Sequence, residues 1–199
     1  MQKFFNIAFL TSGKSMGSNF EAVMTHIQKC NVPIRAKFLI ITRADAPITQ
    51  RAEKFGVRYI LLDDKNTFEQ KLLTFLNKNN VHLIVLAGFM RKLSEDFLQK
   101  YPGDIINIHP ALLPKFGGKG MFGMRVHEEV FQMKENFSGA SVHYVNERYD
   151  EGKIIAQRKI PIDHCTSAEE IAKEVLKIEH ELYPEVIEKL AREYLELYK

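Results

Sequence analysis

The chain has 199 residues, enough to bury a substantial core without a metal or disulfide staple. Apolar residues make up 45% and charged residues 27%, which excludes a disordered or fibrous chain. With 28 basic against 25 acidic side chains the net charge is only +3, so nothing calls for a nucleic-acid partner, although a local cationic cluster can still face an anionic small molecule. Cys30 and Cys165 lie far apart with no CxxC pair, which makes a reduced, cytoplasmic compartment the default expectation. The stretch Met1–Leu10 carries a lysine before apolar residues, but Asn6 interrupts it and Thr11-Ser12-Gly13 offers no cleavage site, so it reads as a first strand rather than a targeting signal. No run nears the 18 or so apolar residues of a membrane span, so no membrane partner is expected.

The elements alternate along the chain. Asn6–Leu10 is an apolar strand. Ser18 or Asn19 then caps a helix to about Lys29, with Phe20, Val23, Met24 and Ile27 on one face. Ala36–Thr42 is a second strand, Ile48–Phe55 a helix stopped by Gly56, and Val57–Leu62 a third strand. Thr67 caps a helix through Asn77, striped by Phe68, Leu72, Leu73 and Leu76. His82–Ala87 is a fourth strand, Ser94 caps a short helix with Phe97 and Leu98, and Asp104–His109 is a fifth strand cut off by Pro110. Near-continuous apolar strands separated by amphipathic helices predict an α/β fold, a Rossmann-like open, mostly parallel twisted sheet with helices on both faces. After Pro110 the rhythm changes. A Gly- and Lys-rich loop runs from Leu112 to about Met124, then a helix near Arg125–Met133, then strands Ala140–Val145 and Ile154–Ile162 with mixed or antiparallel pairing, and a final helix of about two dozen residues from near Ser167. The expectation is one domain over residues 1–199, a nucleotide-fold half in 1–110 and a smaller α/β extension in 111–199.

Four segments can carry chemistry. Thr11–Asn19 joins the first strand to the first helix, where free backbone N–H groups suit an anion. It is no Walker A loop, because the required glycine five positions before Gly13 is Ala8, and Gly13 and Gly17 miss the GxGxxG spacing. A generic phosphate cradle and a plain glycine turn both remain open. Ala87–Leu93 sits at the C-terminal end of the fourth strand, the edge where open parallel sheets bind ligands. Phe89 and Met90 can line an apolar slot with Arg91 and Lys92 beside an anionic tail; the alternative is a loop with a packed aromatic and solvated charges. In Asn107-Ile108-His109-Pro110, strand alternation puts Asn107 and His109 on one face, about 7 Å apart at Cα, with Ile108 turned into the core. An amide donor beside an imidazole suits oxyanion stabilisation with proton transfer. Finally Ser141–Val145 leads to Tyr149-Asp150-Glu151-Gly152. If Asp150 folds back to His109 it raises the imidazole pKa and holds its orientation, and His143 is either a supporting partner or a strand histidine satisfied in the core. There is no G-x-S-x-G, and neither cysteine neighbours these segments, so no enzyme nucleophile is expected. His109, His127, His143 and Asp150 match no common zinc spacing, so a mechanism without metal is preferred.

Taken together, Asn107–Lys115, Gly13…Gly17-Ser18-Asn19, Ala87–Arg91, Ser141–Val145 with Asp150-Glu151-Gly152, and Glu179-His180 with Tyr183-Pro184 resemble, in order and over nearly the whole chain, the 10-formyltetrahydrofolate-dependent formyltransferases. The resemblance implies the formyltransferase fold and transfer of a formyl group from 10-formyltetrahydrofolate, as co-substrate, to the amine of glycinamide ribonucleotide in purine synthesis. It implies His109 as general acid and oxyanion partner, Asn107 as second oxyanion donor and folate contact, and Asp150 as the group that raises the His109 pKa and helps move the amine proton. It further implies the substrate phosphate at Gly17, Ser18 and Asn19, the ribose hydroxyls at Glu179, and the folate at Lys65, Met90, Arg91, Lys92 and Leu93. No metal is implied, and the chain is expected to be a monomer or homodimer acting on small molecules. Lys14, Arg91, Lys115 and Lys119 then have two anionic substrates to face. Compared with relatives, Gly13–Gly17 is longer than the shortest version, Phe116–Met124 is a long glycine-rich segment read as a mobile flap or an ordered surface loop, and Leu176 stands where many relatives carry a polar residue. Within the same fold, a formyltetrahydrofolate hydrolase or a methionyl-tRNA formyltransferase is the alternative, each expected to need an additional domain for which this chain has no room. A non-enzymatic nucleotide-binding module is a third reading, and it leaves Asn107, His109 and Asp150 idle.

Overall fold

The first element, β1 (Phe5–Thr11), shows why the chain starts as it does: five of its seven side chains belong to the apolar run, and from Ile7 onward the strand is buried on both faces. A computed structural model describes residues 3–197; Met1 and Gln2, part of the segment weighed as a targeting signal, lie outside it. The order continues as α1 (Ser18–Ile27), β2 (Ile34–Ile41), α2 (Ile48–Lys54), β3 (Tyr59–Leu61), α3 (Phe68–Lys78), β4 (Leu83–Leu86), α4 (Glu95–Lys100) and β5 (Asp104–His109). Then follow α5 (Met124–Gln132), β6 (Phe137–Tyr144), β7 (Ile154–Pro161) and α6 (Ala168–Leu197). Two compact units result, one holding the chain through Ile106 and again from Ile187, the other Asn107–Val186.

In the first unit the strands stand in the order β3-β2-β1-β4-β5, all parallel. Phe9, Leu10, Leu39, Ile40, Leu83, Ile84 and Val85 are fully buried, as expected of strands covered on both faces. Phe20 of α1 meets Phe9 edge-to-face at 4.7 Å, and Phe75 of α3 meets Phe38 at 4.6 Å, so the helices are pinned by aromatic contacts each worth about 1 kcal/mol beyond area burial. β5 runs on into the second unit, where its neighbour in the sheet is β6, followed by β7. β6 and β7 pair antiparallel, with a register shift between Val142 and His143. The sheet is therefore mixed, mostly parallel with an antiparallel C-terminal part.

Several boundaries differ from the sequence reading. Neither Ser18 nor Asn19 caps α1; Gly17 does, at φ +77°, without a side-chain bond. A Cβ there would lie 2.4 Å from Cδ1 of Ile48, so only glycine fits this turn. Thr67 stands at the N-cap of α3 but its hydroxyl donates to Asp64 at 2.6 Å instead of accepting from the helix. Ser94 does cap α4, accepting from the Phe97 N–H at 3.1 Å. β3 is only three residues, because the side chains of Tyr59 and Leu61 are exposed and little burial holds a longer strand. α6 extends to 30 residues and carries Pro184 inside it; its last turns continue through the Glu188–Arg192 pair on one face.

Candidate active site

In the first unit, the loops after β1 and β4 are tied together at the C-terminal edge of the strands. The Ser12 hydroxyl accepts from the Met90 N–H at 2.7 Å, and the Ser12 N–H donates to the Gly88 carbonyl at 3.1 Å. The first turn of α1 begins at Gly17, so Ser18 and Asn19 carry backbone N–H groups with no acceptor in the helix. Lys14 is exposed beside this loop. Of the predicted folate residues in this unit, Met90 and Lys92 are exposed, Leu93 is buried, and the Arg91 guanidinium lies 5.3 Å from the centre of the Phe68 ring with Nη1 buried. Phe89 stacks on the same Phe68 ring at 5.9 Å, so the aromatic is packed rather than open. Lys65 is exposed in the turn before α3.

In the second unit, β5 delivers Asn107 and His109 from one face, while Ile108 is buried among apolar side chains. The turn after β6 brings Asp150 back to them. Asp150 adopts the left-handed backbone conformation, φ +57°, which aspartate tolerates better than most residues. Its Oδ2 lies 3.6 Å from Nδ1 of His109, and its Oδ1 lies 3.6 Å from Nε2 of His143. His143 in turn meets Nδ2 of Asn107 at 3.3 Å through Nε2. The amide, the two imidazoles and the carboxylate thus form one connected cluster in which both rings are buried. His143, weighed at first as a satisfied strand histidine, is a member of it.

The hydrogen bonds assign the ring protons. His143 donates from Nδ1 to the Tyr144 carbonyl at 2.9 Å, so in the neutral ring Nε2 accepts from Asn107. That bond uses one amide hydrogen of Asn107 and leaves the other. His109 donates from Nε2 to the Phe116 carbonyl at 2.8 Å, which turns Nδ1 toward Asp150. Both nitrogens of His109 therefore face acceptors, an arrangement that welcomes a second proton.

Burial opposes that proton. It pulls the His109 pKa below the ordinary imidazole value, although Asp150 and the Phe116 carbonyl push upward. Asp150 has the upward influence expected from sequence, but desolvation outweighs it. For Asp150 itself, burial would raise the pKa; the neighbouring His143 ring, the His109 charge and the Gly118 N–H outweigh it and keep the carboxyl below its ordinary value. Glu179, on α6, is buried. Leu176 is exposed on the same helix.

The sequence reading took Phe116–Met124 as a mobile flap or an ordered surface loop and did not foresee its backbone contacts to the site. Phe116 adopts φ +59°, presenting its carbonyl to His109, and Gly118 donates its N–H to Asp150 at 3.0 Å. Ser141 anchors this segment, accepting from the Leu113 N–H at 3.0 Å and donating to the Ala111 carbonyl at 2.6 Å. Backbone carbonyls and N–H groups leave no mark on residue identity; only the glycines at 117 and 118 hint at them. Lys115 is occupied by an ion pair with Glu135, whereas Lys119 is exposed. His127, on α5, is buried near His109 with no hydrogen-bond partner for Nδ1, and burial followed by the His109 charge pulls its pKa down to about 4.

A mixed, mostly parallel sheet and a buried amide–imidazole–carboxylate cluster are the frame of an enzyme of the group-transfer class. The chain belongs to the formyl transferase family, whose model matches residues 5–187. Among its relatives, the phosphoribosylglycinamide formyltransferase of Bacillus subtilis is 39% identical over 195 residues, covering 96% of this chain and 95% of that one. The enzyme of the same name from Escherichia coli is 32% identical, covering 92% and 85%. The crystal structure of phosphoribosylglycinamide formyltransferase from Brucella melitensis superposes with a TM-score of 0.84 at 34% identity, covering 95% of this chain and 96% of that one.

Proposed function

We propose that this enzyme transfers the formyl group of 10-formyltetrahydrofolate to the amine of glycinamide ribonucleotide, a step of purine biosynthesis. The observation that carries the reading is the cluster of Asn107, His109, His143 and Asp150 within a chain whose relatives bear that enzyme's name. The glycinamide amine attacks the formyl carbon and a C–N bond forms while the formyl oxygen gains negative charge. His109 and the remaining amide hydrogen of Asn107 stabilise that oxygen; preorganised donors of this kind are worth roughly 10²–10³ in rate each. Asp150 takes the proton that the amine loses and passes it to Nδ1 of His109, and His109 gives its Nε2 proton to the folate nitrogen as the bond from that nitrogen to the formyl carbon breaks. One proton moves from amine to leaving nitrogen, and no covalent enzyme intermediate is needed.

The substrate phosphate is assigned to the first turn of α1 at Gly17, Ser18 and Asn19, supported by the positive end of the helix there. Glu179, a buried carboxylate, is assigned to the ribose hydroxyls. The folate is assigned to Met90, Arg91, Lys92 and Leu93, with Asn107 and Lys65; the buried Nη1 of Arg91 supports an acceptor from the ligand. No step requires a metal, and the small net charge favours small anionic substrates over nucleic acid. Two free cysteines accord with action in the cytoplasm, as a monomer or homodimer, and no helix among the described residues is long and apolar enough to cross a membrane.

The test is a spectroscopic formyl-transfer assay with and without glycinamide ribonucleotide, on the wild type and His109→Ala. The expected outcome is turnover only with the amine present, and a loss of about 10²–10⁴-fold in the variant with its circular dichroism unchanged. Formyl release without the amine identifies a hydrolase instead, and near-normal turnover in His109→Ala overturns the mechanism.

A further inference from the structure

We propose that His26, Cys30 and Glu188 form a binding site for one thiophilic divalent transition-metal ion of the zinc type, joining the end of α1 to α6. The site lies in the first unit and has no part in formyl transfer. His26 occupies the last turn of α1, and the chain stays tightly wound just beyond it: the N–H groups of Lys29 and Cys30 both donate to the His26 carbonyl at 2.9 Å. That turn brings Cys30 to the same side as His26, four residues earlier, and α6 supplies Glu188 from across the contact. The imidazole nitrogen, the thiol sulfur and a carboxylate oxygen all lie within 4.8 Å of one another, and all three residues are partly shielded from solvent.

The donor set of one nitrogen, one sulfur and one oxygen suits zinc and its relatives, not magnesium or calcium, which take oxygen. Zinc bonds of about 2.0–2.3 Å place tetrahedral ligands roughly 3.5 Å apart, so a shift of about an ångström in flexible side chains closes the site. The present partners are compatible with that shift. Cys30 makes only long contacts, 3.6 and 3.7 Å, to the carbonyls of Ile27 and Val32. Glu188 divides its two oxygens, Oε2 to His26 at 2.5 Å and Oε1 to Arg192. An ion that takes Oε2 leaves Arg192 on Oε1, a hydrogen bond that orients a ligating carboxylate. On binding, the Cys30 thiol releases its proton to solvent, the proton on Nε2 of His26 leaves that nitrogen so that the ring ligates as the Nδ1–H tautomer, the His26–Glu188 hydrogen bond gives way to two metal bonds, and no oxidation state changes. Three protein ligands leave a fourth position to water.

Cobalt(II) tests the site. Titrated into the metal-stripped protein at neutral pH, it is expected to bind with one equivalent, giving a thiolate-to-cobalt charge-transfer band and the visible bands of a tetrahedral ion, both bleached by zinc. Cys30→Ser, nearly isosteric, is expected to abolish the charge-transfer band, and His26→Ala to weaken binding tenfold or more. Cys165→Ser is the control, because Cys165 and His164 also meet at 3.7 Å but exposed and without a third ligand. Zinc is expected to raise the thermal midpoint of the wild type and of Cys165→Ser but not of Cys30→Ser. No charge-transfer band at stoichiometric cobalt, or a band that survives Cys30→Ser, overturns the proposal.

Discussion

At the scale of single residues, His109 is pulled in two directions. Burial favours the neutral ring, while Asp150 and the Phe116 carbonyl favour the imidazolium. A group balanced in this way can accept and release a proton during one turnover, which an ordinary surface histidine or a fully desolvated one cannot do as readily. Replacing Asp150 by asparagine removes the negative charge but keeps the shape. The sign follows directly: the upward push is lost, so the His109 pKa falls further. Asp150→Asn is expected to move the His109 titration, followed by nitrogen-15 NMR, to lower pH and to reduce turnover by about 10²-fold or more. A titration that stays in place shows that the carboxylate is not coupled to the ring. His143 acts through Asn107, and its Nε2 is the acceptor that turns the amide. His143→Ala is expected to lower kcat with little change in KM, because it frees an amide that is needed when the oxyanion forms; a variant affected only in stability refutes this positioning role.

At the scale of elements, the segment between β5 and α5 is latched onto both His109 and Asp150, through the Phe116 carbonyl and the Gly118 N–H. The Nε2–H of His109 is committed to this carbonyl, so in the mechanism we propose an oxyanion shares that hydrogen or displaces the carbonyl. Gly117 sits between the two latch points, where a Cβ would lie 2.5 Å from Cδ2 of Leu113 and 3.2 Å from Cβ of Asp150. Gly117→Ala therefore pushes the latch and the carboxylate apart. The expected outcome is a fall of tenfold or more in kcat/KM, or about 1.4 kcal/mol of transition-state stabilisation, with a thermal midpoint little changed. Wild-type kinetics would show that the latch does not set the geometry of the pair.

On the scale of the whole molecule, stability is expected to fall on the acid side for a nameable reason. His127 takes up its proton at about pH 4 in the folded protein against about 6.5 when unfolded, so the unfolded chain binds more protons throughout that interval. Stability thus rises with pH across it, by at most about 3–4 kcal/mol from this residue. His109, also depressed, adds in the same direction, and Asp150 removes further stability as the pH drops below the ordinary carboxylate value. Denaturant unfolding at pH 4.5 and 7 checks this: His127→Gln is expected to flatten the difference, and an unchanged pH slope in that variant shows that His127 is not the source.

The order of strands and helices, the two-sided burial of β1, β2 and β4, the strand end at His109 and the helix cap at Ser94 could be read without coordinates, because local hydrophobic period, proline and a side-chain cap act over a few residues. The same was true of Asn107 and His109 as partners, since strand alternation puts them on one face. What the tertiary structure decided is everything that depends on distant segments meeting: the approach of Asp150 and His143 to β5, the net downward pull on His109, the glycine cap of α1 forced by Ile48, and the bond of Phe116 to the imidazole. Residue types record which groups are present, but backbone donors and desolvation arise only when the chain closes around them, and those are the terms that set how the imidazole holds its proton.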